Sequence, residues 1–389
     1  MVGIPSDEGR RAVGMTWPAA VAVALLTNPG GIIGTVAPAF VNAFVAAGAR
    51  VEDASKLAAA EFFAMATTLV LAPLLIDRFD RRLLAGAAVI AAAAGQFLSL
   101  NAGILEPGIY YRLLAGGGEG ISFAVAIASL ASAPSASRAF GLAILSNQVA
   151  GLLLLAIIAW AATNSPAHAA LVVAGTFIAA HLAFIPPLPR PVQTSGACSS
   201  ATGGTPVALV PVICSLAAMF LLSGGFGAVW PLIGQIGVTA GVSEHAVVST
   251  LAVVGFGGIF GGLIATLVSS RLGRRGAVLL GTCGMAISII LTSTSFFAEA
   301  AILLMFFWAF SLPYFLGLLA ELDQTGRLAV LSSAMIPFGI AGGQLVAGLV
   351  VAAIGLANIT AIGVLAVAGA LAAAIATSSW SCRLSGRIR

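Results

Sequence analysis

The sequence predicts an all-α integral membrane protein: twelve transmembrane helices arranged as two pseudo-symmetric repeats of six. Three observations predict it. The first is composition, for of 389 residues 60% are hydrophobic and 8% charged, with a mean hydropathy of +1.10. A water-soluble domain carries about a quarter charged residues, and at 8% its surface would be covered by large apolar patches. The second is that the chain divides into apolar runs of about twenty residues, each long enough to cross a hydrocarbon layer of about 30 Å as a helix. The third is that basic residues cluster in alternate connections between those runs.

Cutting the chain at charged or Pro/Gly/Ser-rich breaks places spans 1 to 6 at about 17–43, 57–76, 83–103, 109–131, 139–162 and 168–185. Spans 7 to 12 follow at about 207–235, 247–269, 276–296, 300–320, 328–353 and 358–379. The runs are continuously apolar rather than alternating at every second residue, which indicates helices and not barrel strands. The longest stretch that is not apolar, 186–205, reads as a cytoplasmic linker between an N-terminal bundle, 1–185, and a C-terminal bundle, 206–389. The polar residues Met1 to Gly14 precede a hydrophobic run too long for a signal-peptide core, so the first span is expected to be uncleaved.

Of the 17 Lys and Arg residues, 14 fall in one alternating set of loops and at the termini: Arg10, Arg11, Arg78, Arg81, Arg82, Arg138, Arg190, Arg271, Arg274, Arg275, Arg327, Arg383, Arg387 and Arg389. The positive-inside rule puts those loops and both termini in the cytoplasm, for a multi-pass protein of the inner (plasma) membrane. Arg50 and Lys56 lie on the other side, and Arg112 falls within a span.

An offset of 193 residues aligns Gly31, Gly34, Val36 and Pro38 of span 1 with Gly224, Gly227, Val229 and Pro231 of span 7. The same offset carries Arg78, Arg81 and Arg82 onto Arg271, Arg274 and Arg275. One register thus matches two distant places, the signature of an internal repeat. Six spans per repeat preserve orientation, as the matching arginine loops require.

Between spans 2 and 3 the chain reads Pro73-Leu74-Leu75-Ile76-Asp77-Arg78-Phe79-Asp80-Arg81-Arg82, and between spans 8 and 9 it reads Ser270-Arg271-Leu272-Gly273-Arg274-Arg275. These loops resemble the G-x-L-x-D-R-x-G-R-R signature of the major facilitator superfamily, with Pro73 and Asp80 where glycines are usual and Ser270 in place of the second aspartate. Span 4 adds Tyr111-Arg112-Leu113-Leu114-Ala115-Gly116-Gly117-Gly118, which is similar to that family's R-x-x-x-G-x-G motif. The resemblance implies a gating latch, in which Asp77 would meet the cytoplasmic end of span 11 and Arg78, Arg81, Arg82, Arg271, Arg274 and Arg275 would contact neighbouring acidic groups. It also implies that span 4 lines the central cavity and that Arg112 supports proton coupling.

Charged groups inside the spans are Glu61, Arg112 and Glu119. Burying an ionised group in hydrocarbon costs at least about 2.5 kcal/mol even on lenient scales, so each is a candidate functional group. Arg112 and Glu119 are seven residues apart and share one face of a helix. Glu119 is the expected protonation site and Glu61 the second candidate, with Arg112 modulating both.

The second half offers neutral groups for a solute: Trp230 and Gln235 in span 7, Trp308, Ser311, Tyr314 and Phe315 in span 10, and Gln344 in span 11. Asn28 in span 1 and Asn147 and Gln148 in span 5 are further candidates, and Arg112 is expected to favour an anionic solute. Helix-to-helix hydrogen bonding is the competing reading for each neutral residue. His168, His181 and His245 have no metal-like spacing and are assigned no chemistry, and no metal site is expected. The four cysteines are scattered without CxxC spacing, so neither a disulfide framework nor a zinc site is indicated. Glycine clusters such as Gly116 to Gly118 lack the strand and lysine of a phosphate-cradling loop and read as close-packing surfaces.

The leading expectation is therefore a secondary transporter that moves a small organic solute, an organic or aromatic anion, by alternating access with proton coupling. It would be monomeric, with the lipid bilayer and the solute as partners, no nucleic acid and no cofactor beyond a proton gradient. A proton-driven multidrug-type exporter is the alternative. The exporter signature G-x-x-x-G-P-x-x-G-G is not matched in span 5, where the chain reads Ala143-Ile144-Leu145-Ser146-Asn147-Gln148-Val149-Ala150-Gly151. A non-transporting membrane sensor is a third reading, and the lack of a polar catalytic cluster argues against an enzyme.

Overall fold

The computed structural model describes residues 17–101, 106–131, 136–188, 209–320 and 327–386. Regular structure among the described residues is helical throughout. Eleven helices are long and apolar enough to cross a membrane, and a shorter apolar helix, Ala169–Phe184, stands where span 6 is expected. Its last four residues, His181–Phe184, are a 3-10 turn, which has a longer rise per residue than an α-helix and brings the segment to about 26 Å. Among the described residues there are thus eleven helices of spanning length, against the twelve expected, with a short helix in the sixth place.

Spans 2 to 5 are single helices at Val51–Ile76, Arg81–Leu98, Gly108–Ala131 and Ala136–Ala162. Spans 10 to 12 are Phe297–Ala320, Arg327–Ile354 and Ile359–Gly386. Span 1 is instead built from Trp17–Leu25, Asn28–Gly31 and Ile33–Ala46, and span 7 from Leu209–Val229, Trp230–Leu232 and Ile233–Thr239. Pro29 and Pro231 occupy the first turn of the segment after a break in each span. A proline there lacks the N–H that would have continued the preceding helix.

Spans 8 and 9 run through Glu244–Val253 and Gly255–Leu291, with Gly273 breaking the second helix at φ 62°, ψ 162°. That conformation is open essentially to glycine alone. Its partner 193 residues earlier, Asp80, solves the same chain reversal differently: its carboxylate accepts from the backbone N–H groups of Arg82 and Leu83, at 2.8 and 3.2 Å, and caps span 3. An N-cap aspartate satisfies donors that the helix itself leaves open, which explains why the first loop does without the usual glycine.

Within the first half span 4 packs on spans 2 and 3, and within the second half span 7 packs on spans 11 and 12. Between the halves, span 2 lies along span 11 and span 5 meets span 8. Trp230 donates its indole N–H to the Gly34 carbonyl at 2.9 Å, and Gln235 donates to Asn42 Oδ1 at 3.1 Å. Asn42 and Gln235 are themselves 193 residues apart in the chain, so two equivalent positions of the repeat meet across the pseudo-symmetry axis. Gly348 of span 11 approaches the Glu52 carbonyl of span 2, where an added Cβ would stand 3.1 Å from the oxygen. Nearer the middle, the rings of Phe63 and Phe338 meet at 5.8 Å. These contacts run from mid-membrane to the end opposite the arginine loops, and they close that end.

Candidate functional site

Span 4 is brought unusually close to its neighbours by its small residues. A Cβ at Gly116 would overlap the Glu61 carbonyl of span 2, one at Gly118 would overlap the Ala88 carbonyl of span 3, and one at Gly120 would stand 2.5 Å from the Met65 carbonyl. Without these glycines the three backbones could not converge, and their side chains would not meet. Gly116→Val is accordingly expected to separate spans 2 and 4 and to lower thermal stability in detergent by about 1–3 kcal/mol, the range for overpacking a close-packed core. An unchanged melting temperature would show that the approach is not tight.

At this convergence lies a polar cluster buried within the first half. Glu61, Gln96, Arg112 and Glu119 have no exposed surface. Arg112 donates through Nη1 to Gln96 Oε1 at 2.7 Å, and through Nη2 to Glu61 Oε2. The Gln96 amide N–H2 donates to Glu61 Oε1 at 2.9 Å and to Glu119 Oε1 at 3.1 Å. Gln96 therefore bridges all three charged residues. The guanidinium carbon lies 4.7 Å from the Phe40 ring and 5.5 Å from the Phe44 ring of span 1, a cation–π arrangement that offsets part of its desolvation. Arg112 Nε and Glu119 Oε2 have no hydrogen-bond partner.

The cluster holds one guanidinium and two carboxylates, an odd charge count. With both carboxylates ionised it would carry a net negative charge in a fully dry interior, where an uncompensated ion costs several kcal/mol. One proton shared by the carboxylate pair makes it neutral. The arrangement can thus hold one proton, and Gln96 gives Arg112 a fixed bridge while it pairs with whichever carboxylate is ionised.

No family model and no curated protein sequence matches the chain significantly. Solved structures do match in shape. A crystal structure of a D-xylose-proton symporter aligns with a TM-score of 0.67 at 16% identity, over 92% of this chain and 95% of that one. The nucleoside transporter NupG aligns with a TM-score of 0.68 at 12% identity, over 94% and 99% of the two chains. A mutant of NupG gives 0.70 at 14%, over 93% and 99%. The chain has the fold of these transporter structures.

The superfamily-like loop behaves differently at its several residues. Asp77 is exposed; its backbone N–H donates to the Pro73 carbonyl at 3.2 Å, and its carboxylate has no partner among the described residues. The start of span 11, where the resemblance puts its partner, falls on 321–330, whose side chains lie outside those described. Arg82 donates through Nε and Nη2 to the Leu188 carbonyl at 2.8 and 2.6 Å, and so holds the chain leaving span 6 rather than an acidic group. Arg78 is exposed and Arg81 half-buried. Arg271 lies in the helix, with its side chain outside the described set. Arg274 and Arg275 border a cavity of about 290 Å³ between spans 9 and 12, with Val278, Leu279 and Ile375.

Several residues expected to face a solute are engaged elsewhere. Arg112 pairs with Gln96 and Glu61 through its two Nη atoms and keeps only Nε without a partner, so its contacts lend no support to the expected anion-binding role. Trp230 and Gln235 hold the halves together, as described above. Tyr314 donates its hydroxyl to the Ala265 carbonyl of span 8 at 2.8 Å, and Ser311 abuts Gly281 of span 9. Trp308 stacks on Phe226 at 4.3 Å, and Phe226 on Trp230 at 5.6 Å. Gln148 faces Gly258 of span 8. Gln344 is buried with neither amide atom paired, the arrangement of a polar group awaiting a partner.

Asn28 and Asn147 belong to a second buried network, at the break in span 1. Ser146 donates to Asn28 Oδ1 at 3.0 Å, and Thr27 donates to Asn147 Oδ1 at 3.0 Å. His181, assigned no chemistry from the sequence, is buried here. Its Nδ1 lies 2.8 Å from the Phe177 carbonyl and must donate to it, leaving Nε2 to accept from Asn28 Nδ2 at 3.4 Å. Gln96 is the residue that sequence reasoning missed in the charged cluster. A lone amide in the apolar run of span 3 was the signal available, since an intramembrane polar residue must find a partner.

Proposed function

We propose that the protein is a secondary transporter that couples movement of a small, uncharged organic solute to a proton held by the Glu61–Gln96–Arg112–Glu119 cluster. The observation that carries this reading is the odd charge count of a fully buried site, one guanidinium between two carboxylates bridged by one amide. A proton is the smallest species that neutralises it. The solved structures of similar fold, a D-xylose-proton symporter and a nucleoside transporter, support solute transport as the use of that proton.

The anionic solute expected from the sequence loses its basis once Arg112 is paired. Gln344, buried with neither amide atom paired, is neutral and can both donate and accept, which suits a sugar-like or nucleoside-like molecule. With the arginine loops in the cytoplasm, the closed end faces outward, and the structure represents the carrier before it reopens to that side. The N-terminal and C-terminal bundles, 1–185 and 206–389, rock about the solute while the proton stays in the first.

The test is solute-evoked proton movement in proteoliposomes carrying an internal pH dye, with D-xylose, nucleosides and aromatic acids offered in turn. A pH change evoked by a neutral solute is the expected result. Solute flux with no pH change would sink the coupling, and a response confined to carboxylates would restore the anionic reading.

A further inference from the structure

A crevice of about 50 Å³ enters the first half from the end opposite the arginine loops. Its walls come from the connection between spans 1 and 2 and from spans 2, 3, 4 and 6, and they include Ala47, Ala49, Ser99 and His168. At the mouth Ala47 and His168 are exposed, and at the inner end lies Arg112, which has no exposed surface. The wall also includes Leu57, one helical turn before Glu61 on span 2. The crevice lies within the N-terminal bundle, apart from the contacts of Trp230, Gln235 and Phe338 that close the path between the halves.

Two observations point to a ligand in it. Arg112 Nε is a fully buried donor with no partner, and a buried N–H left unpaired costs about 1–3 kcal/mol. Ser99 Oγ, which donates to the Gly95 carbonyl at 2.7 Å, keeps lone pairs free to accept. The volume is enough for about three or four waters, a file that leads from the exposed mouth toward Arg112.

We propose that this crevice is a dedicated proton port, a water-filled entry through which protons reach the Arg112–Glu61 pair from the outer face while the solute path at that end is shut. The port rests on the coupling role proposed above for the cluster. A bare arginine would repel a hydronium ion, as in pores that exclude protons, but Glu61 offsets the charge of Arg112. Once Glu119 has released its proton to the opposite side and stands ionised, a proton arriving along the file bonds to a Glu61 carboxylate oxygen, and Arg112, still held by Gln96, turns to the Glu119 carboxylate. The solute and the proton therefore enter by different doors, and closing one does not close the other.

The experiment uses the full chain with its four natural cysteines replaced by serine and a single Ala49→Cys in the crevice wall, with Ala167→Cys on the facing wall as the second variant. Reconstituted protein is treated from the outer side with a small, membrane-impermeant cationic thiol reagent. Proton-driven accumulation and solute counterflow at equal pH are then measured. The port predicts that both cysteines react, and that labelling abolishes accumulation while counterflow persists. Cysteines that stay unreactive in folded protein show a dry crevice and overturn the port, as does labelling that leaves accumulation intact. Uptake by the unlabelled protein that does not respond to an imposed pH gradient would instead fail the coupling reading, so the two failures are separable.

Discussion

Glu119→Gln is expected to abolish accumulation of solute against its gradient while leaving solute exchange across the membrane intact. Glutamine has the shape of a protonated glutamate, so Gln96 and the neighbouring backbones keep their places. The side chain can no longer take up or give back a proton, and the carrier is fixed in the loaded form of its cluster. Because Glu119 carries one unpaired oxygen and no ion-pair partner, the change removes little structural support. Counterflow with labelled solute and uptake under an imposed pH gradient measure the two activities separately. Accumulation that survived in the variant would place the coupling proton elsewhere, and Glu61→Gln would then be the variant to examine.

Arg112→Met is expected to cost about 3–5 kcal/mol in stability, because it strands a buried carboxylate without its partner. The loss reports the penalty of the unpaired Glu61 rather than the worth of the ion pair. The double variant Arg112→Met, Glu61→Gln should therefore recover most of it, a non-additivity expected for residues in direct contact. Thermal unfolding of the detergent-solubilised proteins gives the comparison. If Arg112→Met melted with the parent, the ion pair with Arg112 would not be what compensates the burial of Glu61.

Much of the architecture is legible in the chain because lipid simplifies the problem. Backbone groups in hydrocarbon must be paired within each helix, so apolar length alone locates the spans, and the short sixth span is the place where length misleads. The arginine loops and the 193-residue offset foretell the paired chain reversals at Asp80 and Gly273, though not that one would be capped by a side chain and the other turned by a positive φ. The three intramembrane charges are visible as exceptions to an apolar run, and they do converge. What they converge on is hidden, because Gln96 is an ordinary residue in sequence until span 3 is laid against spans 2 and 4.

The neutral candidates show the same limit more sharply. Trp230, Gln235 and Tyr314 look like solute ligands when read one at a time, since a polar atom in a membrane helix needs a partner and the sequence does not say which. The tertiary structure supplies Gly34, Asn42 and Ala265 as those partners. Where the apolar helices fall and which charges interrupt them are one-dimensional properties, set by local hydropathy along the chain, and the sequence by itself determined them. Which charge pairs with which, which end of the molecule is shut and whether an arginine faces solute or protein depend on contacts between residues tens to hundreds of positions apart. Only the packing of the helices, set by where glycines let their backbones approach, decided those.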